Sequence, residues 1–394
     1  MLLIAKSKDT VDADILIIGG GIYGCGVAQA ISAGGFKTIL IEKNSLASGT
    51  SSQSTKLIHG GLRYLEQFNL KLVYEALSER ECLLKIAPDL VSRQWFYIPV
   101  YSTGKRPAWF ITCGLFLYYL LSAGRSKFKW LKKNDWSTKV AGLNTKDLKA
   151  VLAYEDAATD DAALTRAVAA SAKTLGCKIF EQTTVESAKF NGSYWQVKLA
   201  NGEQLTARVL VNAAGPWVNI VSKVIYPEPP TLNINLVQGT HLLLNRDCTS
   251  FIYTESLDGR VMFFRPWRGK TLVGTTEVLF QGDPEQVKPR HSEIDAILNT
   301  YNFYFPDSVC LEADILETYC GLRVLPEVEQ AAFFASRETV IAFDQTTCPA
   351  YFAIYGGKLT TYRKESEKVL KLIKNILPAT ATKSTKEIHL DSVD

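Results

Sequence analysis

Asp14-Ile15-Leu16-Ile17-Ile18 runs into Gly19-Gly20-Gly21-Ile22-Tyr23-Gly24, and after an alanine-rich segment the chain reads Thr38-Ile39-Leu40-Ile41-Glu42. Gly19, Gly21 and Gly24 meet the spacing Gly-x-Gly-x-x-Gly. A lone match is weak, but here an apolar strand precedes the turn, a helix-forming segment (Cys25 to Ala33) follows, and a second apolar strand ends in an acid. The first glycine allows the tight turn, the second lets the backbone approach a pyrophosphate, and the third lets helix and strand pack closely. The helix N-terminus then offers free N–H groups and a positive dipole end to phosphate. Glu42 is placed to accept hydrogen bonds from ribose hydroxyls, and its charge repels a 2′-phosphate, which disfavours NADP. A bound dinucleotide follows, FAD or NAD.

Composition bounds the rest. The 394 residues are 47% hydrophobic and 21% charged, the profile of an ordinary globular enzyme with room for two or three domains. A net charge of +4 makes no global demand for nucleic acid. Eight cysteines include no Cys-x-x-Cys pair, against a structural zinc or a thioredoxin-like centre. His59, His241, His291 and His389 are too dispersed for a metal cluster, so no metal is expected. Met1-Leu-Leu-Ile-Ala-Lys6 is too short for a secretory h-region, which points to reduced thiols and a cytoplasmic protein.

Beyond Glu42 lies a hydroxyl-dense loop, Ser48-Gly49-Thr50-Ser51-Ser52-Gln53-Ser54-Thr55-Lys56, at the mouth of the expected cofactor site. Backbone N–H groups and short hydroxyls are suited to hold a pyrophosphate or a ribityl chain. Leu57-Ile58-His59-Gly60-Gly61-Leu62-Arg63-Tyr64-Leu65 follows, with a glycine doublet that lets backbone pass close to a flat ring. A helix is expected over about 70–86.

Thr50-Ser51-Ser52 and the block Lys56 to Leu65 closely resemble the FAD-dependent, aerobic-type glycerol-3-phosphate dehydrogenases, flavoproteins with a D-amino-acid-oxidase-like fold. The resemblance continues through Arg106-Pro-Ala-Trp109, Asn212-Ala-Ala-Gly-Pro-Trp217, Gln238-Gly-Thr-His241, Gly274-Thr-Thr276, Tyr319-Cys-Gly-Leu-Arg323 and Gly356-Gly-Lys-Leu-Thr-Thr-Tyr-Arg363. These blocks run in family order over about residues 13–370. Ala214 departs from the Ala-Thr-Gly usual in the family. Longer members carry a further C-terminal helical domain that this sequence lacks, so properties attributed to that domain do not carry over.

The expected fold class is mixed α/β: a Rossmann-like FAD-binding domain with a parallel sheet, plus a largely antiparallel β substrate-binding domain. The first is drawn from residues 1–85, 150–225 and 331–378, the second from 86–149 and 226–330, with 379–394 a polar, mobile tail. Residues 147–175 read as helix around an acidic turn, with an N-cap at Thr159-Asp160. Strands are expected at 178–180, 184–190, 194–199 and 204–211, joined by turns at Asn191-Gly192 and Asn201-Gly202. Further strands are expected at 235–237, 240–244, 260–266, 271–276, 315–325, 340–343 and 350–354. Helices are expected at 292–301 and 360–376, and Tyr226-Pro-Glu-Pro-Pro230 is a crossing between domains. Residues 108–121 form the most apolar run, too short to span a bilayer and bordered by Lys105, Arg106, Arg125, Lys127, Lys129, Lys132 and Lys133. A core helix and a helix lying on anionic lipid are both open.

Single cations and a single histidine are ordinary surface or core residues, so the roles of the site rest on the resemblance. It implies FAD, bound by Gly19, Gly21, Ile22, Tyr23, Gly24, Glu42, Lys43, Thr50, Ser51, Ser52, Lys56, Leu57, His59, Gly60, Gly61, Val185, Ala213, Ala214, Gly215, Gly357, Lys358, Leu359 and Thr360. A phosphate monoester calls for arginine forks and lysine point charges. Arg63, Tyr64, Arg323, Lys358 and, more loosely, Arg337 are the candidate substrate ligands. His241 is the natural base, having the side-chain pKa nearest neutrality, with Arg323 and Lys358 alternative holders of a developing alkoxide. The implied reaction takes sn-glycerol 3-phosphate to dihydroxyacetone phosphate, hydride passing from C2 to flavin N5 and electrons to a quinone. Peripheral attachment to the inner face of the cytoplasmic membrane and a homodimer stay open. Rival readings are an O₂-using oxidase, a related amine or hydroxy-acid flavin oxidase, and a flavin-binding sensor.

Overall fold

Continuous apolar runs such as Ile15–Ile18 and Val209–Val211 suit strands covered on both faces, and they form the centre of the first sheet. The computed structural model describes residues 10–327, 339–344, 348–378 and 383–393. Strand Ala13–Ile18 pairs in parallel with Thr38–Ile41 on one side and Gln204–Asn212 on the other, and Lys178–Phe180 continues the parallel set beyond Thr38–Ile41. Cys348–Tyr355 runs parallel to the second half of Gln204–Asn212. The first half of that strand joins an antiparallel meander with Trp195–Leu199 and Val185–Phe190. Helices Ile22–Ala33, Asp161–Thr174 and Tyr362–Ile373 contribute to one core cluster, while Trp195, Tyr351 and Tyr355 belong to another.

The second sheet is almost wholly antiparallel and is built on four long strands, Val91–Tyr101, Leu148–Thr159, Ile234–Leu244 and Ile315–Pro326. Helix His291–Tyr304 packs against it. The prolines after Tyr226 carry the chain from the first sheet to the second.

Several expectations are corrected. Leu148–Thr159 is a strand, not a helix, paired along its length with Val91–Tyr101. Its alanine-rich sequence favours helix, but a slot between two strands, with most residues buried on both faces, overrides propensity. The expected domain boundary at 150 therefore falls inside a strand of the second sheet. Residues 234–244 form one strand rather than two, and Val91–Tyr101 and Phe251–Glu255 had no expected element. Asp160 does cap its helix, its side chain accepting from the Ala163 N–H at 3.0 Å. The described part of the tail is packed: Leu390 is fully buried, its N–H donates to the Ile86 carbonyl, and Thr385 accepts from Arg363. Helix Ala108–Leu121 puts Leu115 and Tyr118 into a core cluster, with Ala108, Ile111, Leu117 and Leu121 packed against it, while Trp109, Phe110, Phe116 and Leu120 are exposed, so one face joins the core and the other does not.

Candidate active site

The glycine turn is shaped by contact. A Cβ at Gly24 would lie 1.8 Å from the Gly19 carbonyl oxygen, and one at Gly19 would lie 2.6 Å from that of Ala213. Gly21 precedes the first helical residue and provides no side-chain cap; the Ile22 N–H donates instead to Ser51 Oγ at 2.8 Å. No acid stands in the first turn. A helix N-terminus met only by the Ser51 hydroxyl at Ile22, with no acid in its first turn and glycines where no side chain fits, is a cradle for a pyrophosphate, so the residues present fit a dinucleotide. Glu42 holds the turn closed, accepting from the N–H groups of Gly20 (2.5 Å) and Asn44 (2.7 Å). Val185 follows the turn whose Thr183 N–H donates to the Glu42 carbonyl. Lys43 points elsewhere, into an exposed ion pair with Glu285 at 2.6 Å.

Three stretches meet this turn and its helix directly, and another, His59–Gly61, joins them through Thr360. The first is Thr50–Ser52, already met through Ser51; Thr50 Oγ1 donates to the Leu322 carbonyl at 3.0 Å, tying it to strand Ile315–Pro326. The second is His59–Gly61, whose His59 N–H donates to Thr360 Oγ1 at 3.2 Å. The third is Gly357–Thr360: the Lys358 N–H donates to the Tyr23 hydroxyl at 2.9 Å, and Gly357 lies so close to that ring that no Cβ fits. The fourth is Ala213-Ala214-Gly215, where the Ala213 N–H donates to the Ile18 carbonyl and Gly215 takes a positive φ. Leu57 forms a short strand on the second sheet, pairing with Ala158.

Two of the candidate substrate ligands, Arg63 and Arg323, meet at the Glu277 carboxylate. Arg323 Nη1 binds Glu277 Oε1 at 2.9 Å and its Nη2 donates to Thr275 Oγ1 at 3.2 Å; Arg63 Nη1 lies 3.7 Å from Glu277 Oε2. Lys358 Nζ sits 3.8 Å from the centre of the Tyr64 ring. His241, buried on strand Ile234–Leu244, shares Nε2 with Thr55 Oγ1 at 2.9 Å and stacks on Tyr319. Burial first, then the positive charges of Arg323, Lys56 and Arg265, hold the imidazole well below the ordinary value of 6.5. His241 is thus neutral at physiological pH, and the reason for choosing it, a pKa near neutrality, does not survive. Arg337 lies outside the described residues.

Lys56 is not free to follow a ligand: its ammonium binds Asp161 Oδ1 at 2.5 Å in a buried pair and the Ser52 carbonyl at 2.9 Å. Sequence reasoning passed over Glu277, Thr275, Thr55, Asp161 and Arg265. Glu277 directly follows the Gly274-Thr-Thr276 block, so an acid beside an expected anion site was the signal available. Asp161 read as a simple helix start.

A sequence profile described as FAD dependent oxidoreductase matches residues 14–363. The chain is 37% identical to D-erythritol 1-phosphate dehydrogenase of Brucella abortus, covering 93% of this chain and 74% of that protein. It is 36% identical to the aerobic glycerol-3-phosphate dehydrogenase of Escherichia coli, covering 91% and 72%. Among solved structures, glycerol-3-phosphate dehydrogenase from Bacillus halodurans complexed with FAD superposes with a TM-score of 0.76 at 26% identity, over 98% of this chain and 68% of that one.

Proposed function

The chain belongs to the FAD-dependent oxidoreductase family, and on that premise we propose that it oxidises the secondary hydroxyl of a small polyol phosphate, sn-glycerol 3-phosphate first, with a quinone as the final acceptor. The observation that carries this reading is the pairing of Arg63 and Arg323 on one shared carboxylate, beside a buried neutral histidine. Two guanidinium groups leave a net positive charge after Glu277 is counted, which suits a phosphate monoester dianion. Arg63, Arg323 and Lys358 bind and orient the ester, and Tyr64 adds a neutral donor. His241 in its neutral form takes the hydroxyl proton, and Arg323 or Lys358 steadies the developing alkoxide. Bound FAD supplies the two-electron acceptor. The glycine turns at 19–24, 59–61 and 356–357, with the 50–52 loop, hold its phosphates and ring.

A second substrate, D-erythritol 1-phosphate, is favoured by the 37% identity to a dehydrogenase of that name. Turnover of both esters by FAD-loaded protein, with a soluble quinone analogue and a parallel peroxide assay, decides substrate and acceptor together. Turnover of neither ester sinks the proposal, and peroxide formed at the rate of ester oxidation replaces the quinone by O₂.

Contact with a lipid surface fits the same reading. Trp109, Phe110, Phe116 and Leu120 are exposed on helix Ala108–Leu121, Phe68, Leu70 and Tyr74 are exposed on segments that contact that helix, and Lys105, Arg125, Lys127, Lys129, Lys132 and Lys133 stand nearby in the chain. An exposed aromatic helix with a cationic border matches an anionic bilayer surface. No helix among the described residues is long and apolar enough to cross a membrane.

A further inference from the structure

Thr55 lies in the loop that follows strand Thr38–Ile41 of the first sheet, yet its hydroxyl is 2.9 Å from Nε2 of a histidine on the other sheet. Neither partner is free to drift. The Ser54 N–H and O–H donate to Asp161 Oδ2 at 3.0 and 2.6 Å, and the Tyr319 hydroxyl donates to the Ser54 carbonyl at 3.2 Å. Arg265, itself buried, donates to the carbonyls of Thr55 (3.2 Å) and Lys56. On the other side, the His241 ring lies nearly parallel to Tyr319, with centres 5.0 Å apart. It also presses on Gly274, where a Cβ would lie 2.3 Å from its Cδ2.

A neutral imidazole carries one donor and one acceptor nitrogen, and a buried polar atom without a partner is costly. Nε2 is committed to Thr55. Nδ1 is buried and has no hydrogen-bond partner among the described residues. We propose that Thr55 is a positioning residue that fixes the ring of His241 through Nε2 and reserves Nδ1 as the nitrogen that meets the substrate hydroxyl. This rests on the polyol phosphate reading above. It deepens that reading by naming the reacting nitrogen and the residue that selects it. The charged groups acting on the ring, Arg323 from the adjacent strand Ile315–Pro326, Arg265 from strand Val261–Trp267 and Lys56 from the loop, are all cationic. They favour the neutral ring over the protonated one, and a neutral ring whose Nδ1 is kept bare for the substrate carries its proton on Nε2, from which the Thr55 oxygen then accepts.

The test compares Thr55→Val, which keeps shape and loses the hydroxyl, with Thr55→Ser, which keeps it. In FAD-loaded protein, Thr55→Val should lower kcat about tenfold or more with KM little changed, and move the acid limb of the pH profile. Thr55→Ser should restore kcat to within about threefold of wild type, as expected where the retained hydroxyl orients its partner. His241→Asn places an amide near the position of Nδ1 and His241→Gln near that of Nε2, so only Asn should keep a near-normal KM. Wild-type kcat and pH profile in Thr55→Val, equal damage from Ser and Val, or better binding by His241→Gln would each overturn the proposal. Nitrogen-15 NMR of the imidazoles, without any substrate, gives an independent reading. The Nε2 resonance of His241 should shift in Thr55→Val, and an unmoved resonance would overturn the Thr55 contact. If wild type turns over no polyol phosphate, the substrate reading and the Nδ1 assignment fall together, while a shifted resonance leaves the Thr55 contact standing.

Discussion

At the scale of single residues, charge and burial decide more than residue type. His241 was chosen for an ordinary histidine pKa, and its surroundings remove that property: it is buried, and three cations act on it. Because its folded-state pKa lies below 6.5, the unfolded chain binds the extra proton first as pH falls. Its contribution to stability is therefore complete above about pH 6.5 and is lost as pH falls below that value. Urea unfolding at pH 7.5 and pH 5 should show a loss in wild type that His241→Asn reduces, and equal losses in the two proteins would contradict this. Arg323 makes charge-assisted bonds in the cluster, and such bonds contribute about 1.5–3 kcal/mol each. Arg323→Ala should raise KM for the ester by about 10- to 100-fold, as read from steady-state kinetics, whereas an unchanged KM would remove Arg323 from the phosphate site. Motif residues such as Gly24 were legible because their job is local. Glu277, Thr55 and Arg265 were not, since their partners lie tens to hundreds of residues away.

At the scale of elements, hydrophobic period located most pieces but not always their kind. Helix Leu70–Ile86 appears as expected, capped by the Asn69 side chain. Strand Leu148–Thr159 hid behind helix-favouring alanines, because pairing partners far away in sequence set its state. Helix Ala108–Leu121 was legible as a helix, but apolarity on nearly every side cannot say which side faces the protein. If the exposed side rests on lipid, protein should co-sediment with vesicles containing phosphatidylglycerol and not with phosphatidylcholine alone. Trp109→Ser with Phe116→Ser should weaken that binding by about tenfold or more, and equal binding to both vesicle types would dismiss the lipid reading. Helix His291–Tyr304 has a different task. Its buried Glu293 accepts from Gln238 (2.5 Å), Thr240 (2.9 Å) and Thr276 (2.5 Å), binding the helix to the segments that flank His241. Glu293→Ala leaves three buried donors unsatisfied and should cost about 3 kcal/mol or more in urea unfolding. A loss below about 1 kcal/mol would mean these bonds do not hold the sheet.

At the scale of the whole molecule, the site exists because two sheets meet along residues 50–61. That segment carries hydroxyls toward the glycine turn, a short strand into the second sheet, and Thr55 onto His241. The two-sheet architecture was legible in outline, since parallel runs are continuously apolar and the later strands are bounded by turns. The position of the boundary was not, as strand Leu148–Thr159 shows. FAD follows from family membership together with the fit of the glycine cradle. The step from cofactor to substrate rests on the arginine pair beside a neutral histidine. An anaerobic titration of the FAD-loaded protein tests that step most directly, following the flavin absorbance near 450 nm. The account predicts bleaching by sn-glycerol 3-phosphate or D-erythritol 1-phosphate and none by glycerol or lactate. Bleaching by the unphosphorylated compounds, or by none of the four, would contradict it.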